Sequence, residues 1–129
     1  MPDYLLDSNV LIRHLRRHQS TTDLLAALIL EGQIGIATIS RTEIIEGMRE
    51  HEREKTLRLL DSMIAYPLTI EVADGAGDYV RRYREQGVIL SKPDAIIGAT
   101  AAHHDLILVT YNTKHFPMSD VTLYEGMPE

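Results

Sequence analysis

Along the chain, short apolar runs alternate with stretches in which apolar residues recur every three or four positions. Tyr4 to Leu6 is one such run and opens directly onto the polar Asp7-Ser8-Asn9. Val10, Leu11, Ile12 and Leu15 then have helical spacing, so a strand leads at once into a helix. Ser20-Thr21-Thr22-Asp23 offers caps to a second helix carrying Leu24, Leu25, Leu28 and Ile29, which ends near Gly32; Ile34 to Ile39 reads as a second strand. From Arg41 to about Ile64 the apolar positions Ile44, Ile45 and Met48, then Leu57, Leu60 and Ile64, supply the buried stripes of a helix in two pieces that Pro67 stops. Alternation over Leu68 to Val72 predicts a third strand, and Asp78 to Glu85 a helix with Tyr79, Val80 and Tyr83 on its inner side, ending at Gly87. After Ser91-Lys92-Pro93, the residues Ala95, Ile96, Gly98, Ala99, Ala101 and Ala102 give a helix whose small side chains let it lie close to a sheet. Leu106 to Thr110 is a continuous apolar strand of the kind buried on both faces, and Val121 to Tyr124 a last short one. Strands alternating with helices, with no repeat or linker between them, predict one α/β domain over residues 1–129. Its expected architecture is a three-layer α/β/α sandwich with a central, mainly parallel five-stranded sheet.

Composition narrows the chemistry. Apolar residues make up 44% and charged residues 25%, with 8 Gly and 5 Pro, as expected of a folded domain and not of a disordered chain. Cysteine is absent, which excludes a disulfide framework, a thiolate metal site and a catalytic thiol and agrees with a reducing cytoplasm. The opening residues have no basic segment, and the longest apolar runs, such as Leu24 to Leu30, are far short of the roughly 20 residues that span a bilayer. The expectation is a cytoplasmic protein with no membrane segment. With 13 basic and 19 acidic residues the net charge is -6, so any chemistry on nucleic acid must rest on metal ions or on local basic patches.

In a parallel sheet every loop that leaves a strand's carboxyl end emerges on one edge, and that edge is where open α/β sheets place their sites. Asp7 ends the first strand; Ser40, Arg41, Thr42 and Glu43 follow the second; Asp94 opens the late helix; Tyr111, Asn112 and Thr113 leave the fourth strand. Each acid also has a purely structural reading. Ser40-Arg41-Thr42-Glu43 fits a capping box, Ser91 to Asp94 resembles a capped first turn, and Asp7 can cap the helix after it. Caps do not explain why three acids gather at one edge, because like charges there repel unless a cation lies between them. Hard oxygen donors suit Mg²⁺ or Mn²⁺.

Other polar residues are weighed against this edge. Glu46 shares a helical face with Glu43 and is either an outer ligand or solvated. Asp105, eleven residues beyond Asp94, is about 16 Å away along a helix, and Asp120 reads as a turn residue. His14 and His18 sit four apart on the first helix, the spacing of a zinc pair, but lack a third ligand, so they read as structural or solvated. His103-His104 falls at a helix C-terminus, and His115 is expected to pack beside Phe116, with an RNA contact as the other reading. Arg13, Arg16 and Arg17 lie just after Asp7, and Lys92 and Lys114 flank Asp94 and Asn112, all able to meet phosphates. Arg81, Arg82 and Arg84 read as a solvated face, and Tyr111 is placed to stack on one base.

Four segments carry a resemblance. Leu5-Leu6-Asp7-Ser8-Asn9-Val10-Leu11-Ile12, Ser40-Arg41-Thr42-Glu43-Ile44-Ile45-Glu46-Gly47, Pro93-Asp94-Ala95-Ile96-Ile97-Gly98-Ala99-Thr100-Ala101 and Leu108-Val109-Thr110-Tyr111-Asn112-Thr113-Lys114-His115-Phe116 resemble, in order, the four signatures of the PIN-domain nucleases, specifically the VapC-type toxins. The resemblance implies a metal-dependent endoribonuclease that holds Mg²⁺ or Mn²⁺ through Asp7, Glu43 and Asp94, with Ser8 and Asn9 steadying the first acid and its waters. It implies an RNA substrate, a cognate VapB-like antitoxin and a homodimer. The family often places a further acid at the position of Asn112 or of His115; here neither is acidic, and Asn112 is taken as the fourth site residue, donating a carbonyl oxygen or orienting a water. Two rival enzyme classes lack their motifs: Gly75-Ala76-Gly77 misses the third glycine of a dinucleotide-binding turn, and Asn9 stands where a dehalogenase-like phosphatase needs a second aspartate. A PIN-like module that binds antitoxin or RNA without catalysis stays as the alternative.

Overall fold

In the computed structural model, which describes residues 2–128, the apolar runs pair into one sheet. Its strands are β1 (Tyr4–Leu6), β2 (Ile34–Ala37), β3 (Ile64–Tyr66), β4 (Ile107–Val109) and β5 (Thr122–Leu123), in the order β3-β2-β1-β4-β5, and every neighbouring pair is parallel. Helices α1 (Ser8–Leu15), α2 (Gln19–Glu31), α3 (Thr38–Gly47), α4 (Arg53–Asp61), α5 (Ile70–Glu85) and α6 (Lys92–His103) connect them, with 3₁₀ turns at Glu50–Glu52 and Thr113–His115.

Alternation of side chains along the strands sorts the core into two layers. On β1, Leu5 points into the layer built with Val72, Ala76 and Tyr79 of α5 and Ala95 and Ala99 of α6. Tyr4 and Leu6 point into the other, with Val10, Leu11, Leu25, Leu28 and Leu60. Leu108 and Val109 on β4 divide the same way, as do Ala37 and Ile36 on β2. The expected three-layer sandwich with a parallel five-stranded sheet is what forms. Among the described residues no helix is long and apolar enough to cross a membrane.

Three boundaries differ from the sequence reading. Strand β2 ends at Ala37 and α3 begins at Thr38, with Ala37 at the N-cap and no side chain capping it. Ile39, which prolongs the apolar run, packs from the helix's first turn against the α5/α6 layer. Ser40 and Glu43 therefore lie inside the helix, and the capping-box reading of this segment is wrong. Leu68 to Val72 is not a strand: the Thr69 hydroxyl accepts the Val72 N–H at 3.2 Å and starts α5, so Ile70 and Val72 belong to a first helical turn while Ile64 moves into β3. Gly75 and Gly77 lie inside α5. Third, His14 and His18 do not share a helix. α1 ends at Leu15, Arg17 takes φ 64° to reverse the chain, and His18 is the N-cap of α2. Their Nδ1 atoms bond to the hydroxyls of Thr22 (2.9 Å) and Thr21 (2.6 Å), as expected of structural histidines.

Close packing of β2 on β3 depends on Gly35. A Cβ there would stand 2.4 Å from the Tyr66 ring and 2.8 Å from the Ile64 carbonyl oxygen. Gly98 on α6 is tight in a softer way, since its Cβ would meet the flexible methyl end of Met118 at 2.5 Å. Gly35→Ala is expected to lose about 1–3 kcal/mol in urea unfolding, and Gly98→Ala less than that. A Gly35→Ala protein as stable as the wild type would show that this strand pairing does not need the glycine.

Candidate active site

Because all five strands run the same way, their carboxyl ends share one edge, and β1 and β4 lie side by side at its centre. Asp7 follows β1 immediately. Its N–H donates to the Val109 carbonyl at 2.9 Å, continuing the ladder, and its side chain caps α1, Oδ1 accepting from the Ser8 N–H at 2.8 Å. Oδ2 accepts from the Thr110 hydroxyl at 2.7 Å and from the Asn9 amide at 3.4 Å, and Asp7 as a whole is only 4% exposed. Thr110 is fully buried just past β4 and also accepts the Asn112 N–H at 3.0 Å, while the Asn9 side-chain Oδ1 accepts the Tyr111 N–H at 3.3 Å. Asn9, expected to steady the first acid, touches Asp7 and ties the two strand ends together.

Glu43 comes from the second turn of α3. Among the described residues its Oε1 is buried with no hydrogen bond of good geometry, although the Ser8 hydroxyl lies near the carboxylate, and the hydroxyl of Ser40 one turn earlier is likewise unpartnered. Asp94 lies in the first turn of α6, its N–H bonded to the Ser91 hydroxyl at 3.2 Å, so the capped-turn reading describes its backbone. Its carboxylate is 23% exposed and faces His115, whose Nδ1 stands 3.2 Å from Oδ2.

Asp7 and Glu43 both sense the charge of Asp94. Burial raises the Asp7 pKa above the ordinary carboxylate value; the charge of Asp94 raises it further, against the opposing hydrogen bonds from Thr110 and Ser8. Burial likewise raises Glu43, reinforced by the charges of Asp7, Asp94 and Glu46, while the neighbouring Ser8 hydroxyl favours the ionised form. Glu46 itself is exposed. Among the described residues no three acidic or imidazole side chains stand close enough together, as they are placed, to hold a metal ion. The donor set nevertheless fits a divalent cation with open coordination positions: hard oxygens on three segments, mutual repulsion, and one buried carboxylate oxygen with nothing to bind.

Other candidates fall into place around this centre. Asn112 is exposed, and its side chain makes none of the hydrogen bonds that knit the edge. His115 does not pack beside Phe116: Phe116 alone enters the core, at 2% exposed, and the 3₁₀ turn carries the imidazole back over the start of α6. Tyr111 is not a free platform, because its hydroxyl bonds Thr21 and the Arg13 guanidinium sits 3.8 Å over its ring. Arg16, Arg17, Lys92 and Lys114 are exposed. Asp120 is more than a turn residue, accepting the Tyr79 hydroxyl at 2.7 Å. Thr110 is the participant that sequence reading misses, although a hydroxyl closing an otherwise apolar strand is the available signal.

Residues 4–120 match the PIN domain family. The chain is 43% identical to Ribonuclease VapC10 of Mycobacterium tuberculosis over 114 residues, 88% of this chain and 86% of that protein. Among solved structures it superposes on a chain of VapBC2 from Rickettsia felis bound to a promoter DNA fragment, with TM-score 0.82 and 20% identity over 95% of this chain and 97% of that one, which shows a shared fold. It also superposes on a chain of a toxin-antitoxin complex from Klebsiella pneumoniae, with TM-score 0.77 and 28% identity over 92% and 95%. With the sheet, the order of the four motifs and these likenesses in agreement, the chain belongs to the PIN-domain family, as a VapC-type member.

Proposed function

We propose that this protein is a metal-dependent endoribonuclease, the toxin of a VapBC-type pair, working in the cytoplasm. The observation that carries the reading is the unpartnered, buried Glu43 oxygen at an edge where Asp7 and Asp94 raise the cost of ionising it. Asp7, Glu43 and Asp94 would hold Mg²⁺ or Mn²⁺. A bound divalent ion supplies Lewis acidity toward a phosphodiester oxygen and makes water a nucleophile near neutral pH. Ser8, Thr110 and Asn9 fix the Asp7 carboxylate, so it meets a ligand without first reorganising. Arg13, Arg16 and Arg17 on one side and Lys92 and Lys114 on the other offer cations to the phosphates flanking the cut.

A groove between α1, α3 and α4, lined by Ile12, Leu15 and Met48 together with Arg16, Arg17 and Arg49 and one acid, Glu52, suits an antitoxin segment that is apolar with mainly acidic flanks. The structural neighbours include a VapBC2 assembly and a toxin-antitoxin complex, which supports a cognate VapB-like antitoxin for this chain; a homodimer is proposed with it from the family resemblance.

Asp7→Asn and Asp94→Asn are each expected to lower divalent-dependent RNA cleavage by more than about a hundredfold. The fold should survive. Asp7 has a folded pKa above its unfolded value of 3.8, so the stability it confers is present below that value and is lost as pH rises through the folded pKa. Metal-free Asp7→Asn should accordingly melt at or above the wild-type temperature at pH 7, with a smaller loss of stability between pH 4 and pH 7. Wild-type cleavage by either variant in Mn²⁺ would remove that acid from the site and favour the non-catalytic reading.

Glu43→Gln keeps the shape of a side chain that does not cap its helix. It should leave melting of the metal-free protein unchanged or raised while weakening Mn²⁺ binding in calorimetry by about tenfold or more. Unaltered Mn²⁺ affinity would return Glu43 to a structural role.

A further inference from the structure

We propose that His115 is an imidazole ligand to the divalent cation of this site, sharing one edge of the coordination shell with Asp94 and biasing the site toward transition-metal ions such as Mn²⁺ over Mg²⁺. The inference rests on the metal-dependent reading above and names a donor beyond the three carboxylates. His115 Nδ1 and Asp94 Oδ2 are 3.2 Å apart. Two ligands at right angles around a cation at roughly 2.1–2.2 Å stand about 3.0 Å from each other, so the pair has nearly the spacing of a ligand edge before any ion arrives.

The imidazole is held there by its backbone. The His115 N–H bonds the Asn112 carbonyl at 2.9 Å, the Phe116 N–H bonds the Thr113 carbonyl at 3.1 Å, and the buried Phe116 ring anchors the next position. Among the described residues the His115 ring meets the Asp94 carboxylate, so it stands on the acidic side of the turn. A neutral nitrogen donor also suits the charge balance. Three carboxylates already exceed a divalent ion's charge, and imidazole adds a ligand without adding repulsion. Mg²⁺ strongly prefers oxygen, whereas first-row transition metals accept imidazole.

A simpler role would have Nδ1–H donate a hydrogen bond to Asp94 and do nothing else. His115→Asn separates the two, because its amide keeps a donor near Asp94 and removes the metal-binding nitrogen. The measurement is pulsed electron paramagnetic resonance of Mn²⁺ bound to the full chain, read for nitrogen-14 modulation from a coordinated imidazole, with Mn²⁺ and Mg²⁺ affinities from calorimetry. The wild type should show nitrogen coupling, and His115→Asn and His115→Asp should lack it. Mn²⁺ should bind His115→Asn about tenfold more weakly, and the preference for Mn²⁺ over Mg²⁺ should fall about tenfold in His115→Asp, where a hard oxygen replaces the nitrogen. Absence of nitrogen coupling in the wild type, or its persistence in His115→Asn, overturns the proposal. Asp94→Asn distinguishes the two levels. If it abolishes Mn²⁺ binding while His115→Asn leaves the spectrum and affinities unmoved, only the role of His115 fails; if it binds Mn²⁺ as the wild type does, the metal-site reading fails and takes this ligand with it.

Discussion

A carboxylate buried at the junction of two central strands is the constraint on which the rest of this molecule depends. Taking an unpaired charge out of water is expensive, and among the described residues no Lys or Arg forms an ion pair with Asp7. What makes the position tolerable is a set of fixed donors: the Ser8 N–H, the Thr110 hydroxyl and the Asn9 amide. Those donors arrive only if β1 and β4 pair with Leu6 opposite Val109, and that register in turn requires Leu108 and Val109 to face opposite core layers. The apolar packing of the sheet and the placement of one acid are therefore a single problem. The raised pKa of Asp7 shows that the donors offset the burial cost incompletely.

The remaining cost is compounded by the neighbours. Glu43 comes from a helix that starts directly off β2, and Asp94 from the first turn of α6, so both reach the same edge from well-ordered elements. Among the described residues neither forms an ion pair with a Lys or Arg, and the exposed His115 lies beside Asp94. A protein of net charge -6 that gathers acids in this way is poised for a cation and repels nucleic acid without one. The arginines near the edge are partly committed elsewhere: Arg13 lies over Tyr111, whose hydroxyl binds Thr21, so helix α2 is fastened to the chain leaving β4.

Much of this is legible in the amino-acid pattern itself. The run Tyr4 to Leu6 closing on Asp7, the small-residue face of α6 and the apolar Leu106 to Thr110 each have one reading, and the sheet follows from them. Ambiguity arises where two periods fit the same few residues. Ile39 extends an apolar strand and equally begins a buried helical turn. Leu68 to Val72 alternates as a strand does, yet Thr69 followed by Val72 is also a cap with its first turn, and the stripe Val72, Ala76, Tyr79 decides for the helix. His115 escapes placement because a 3₁₀ turn, unlike a helix or strand, announces itself by no periodicity. Thr110 looks like the last residue of a strand, and its role depends on a partner 103 residues away.

The central claim is that the crowded carboxylates are a site for a divalent cation and not a set of helix caps. An ion bound only by the folded chain adds about 2.7 kcal/mol of stability at a concentration a hundredfold above its Kd. Urea unfolding of the wild-type protein at pH 7, repeated across a Mn²⁺ titration, reads that linkage directly. Stability should climb logarithmically with Mn²⁺ once its Kd is exceeded, and the climb should vanish in an Asp7→Asn, Asp94→Asn double variant that is at least as stable as wild type without metal. A wild-type curve that ignores Mn²⁺, or a double variant that climbs as steeply, would contradict the claim.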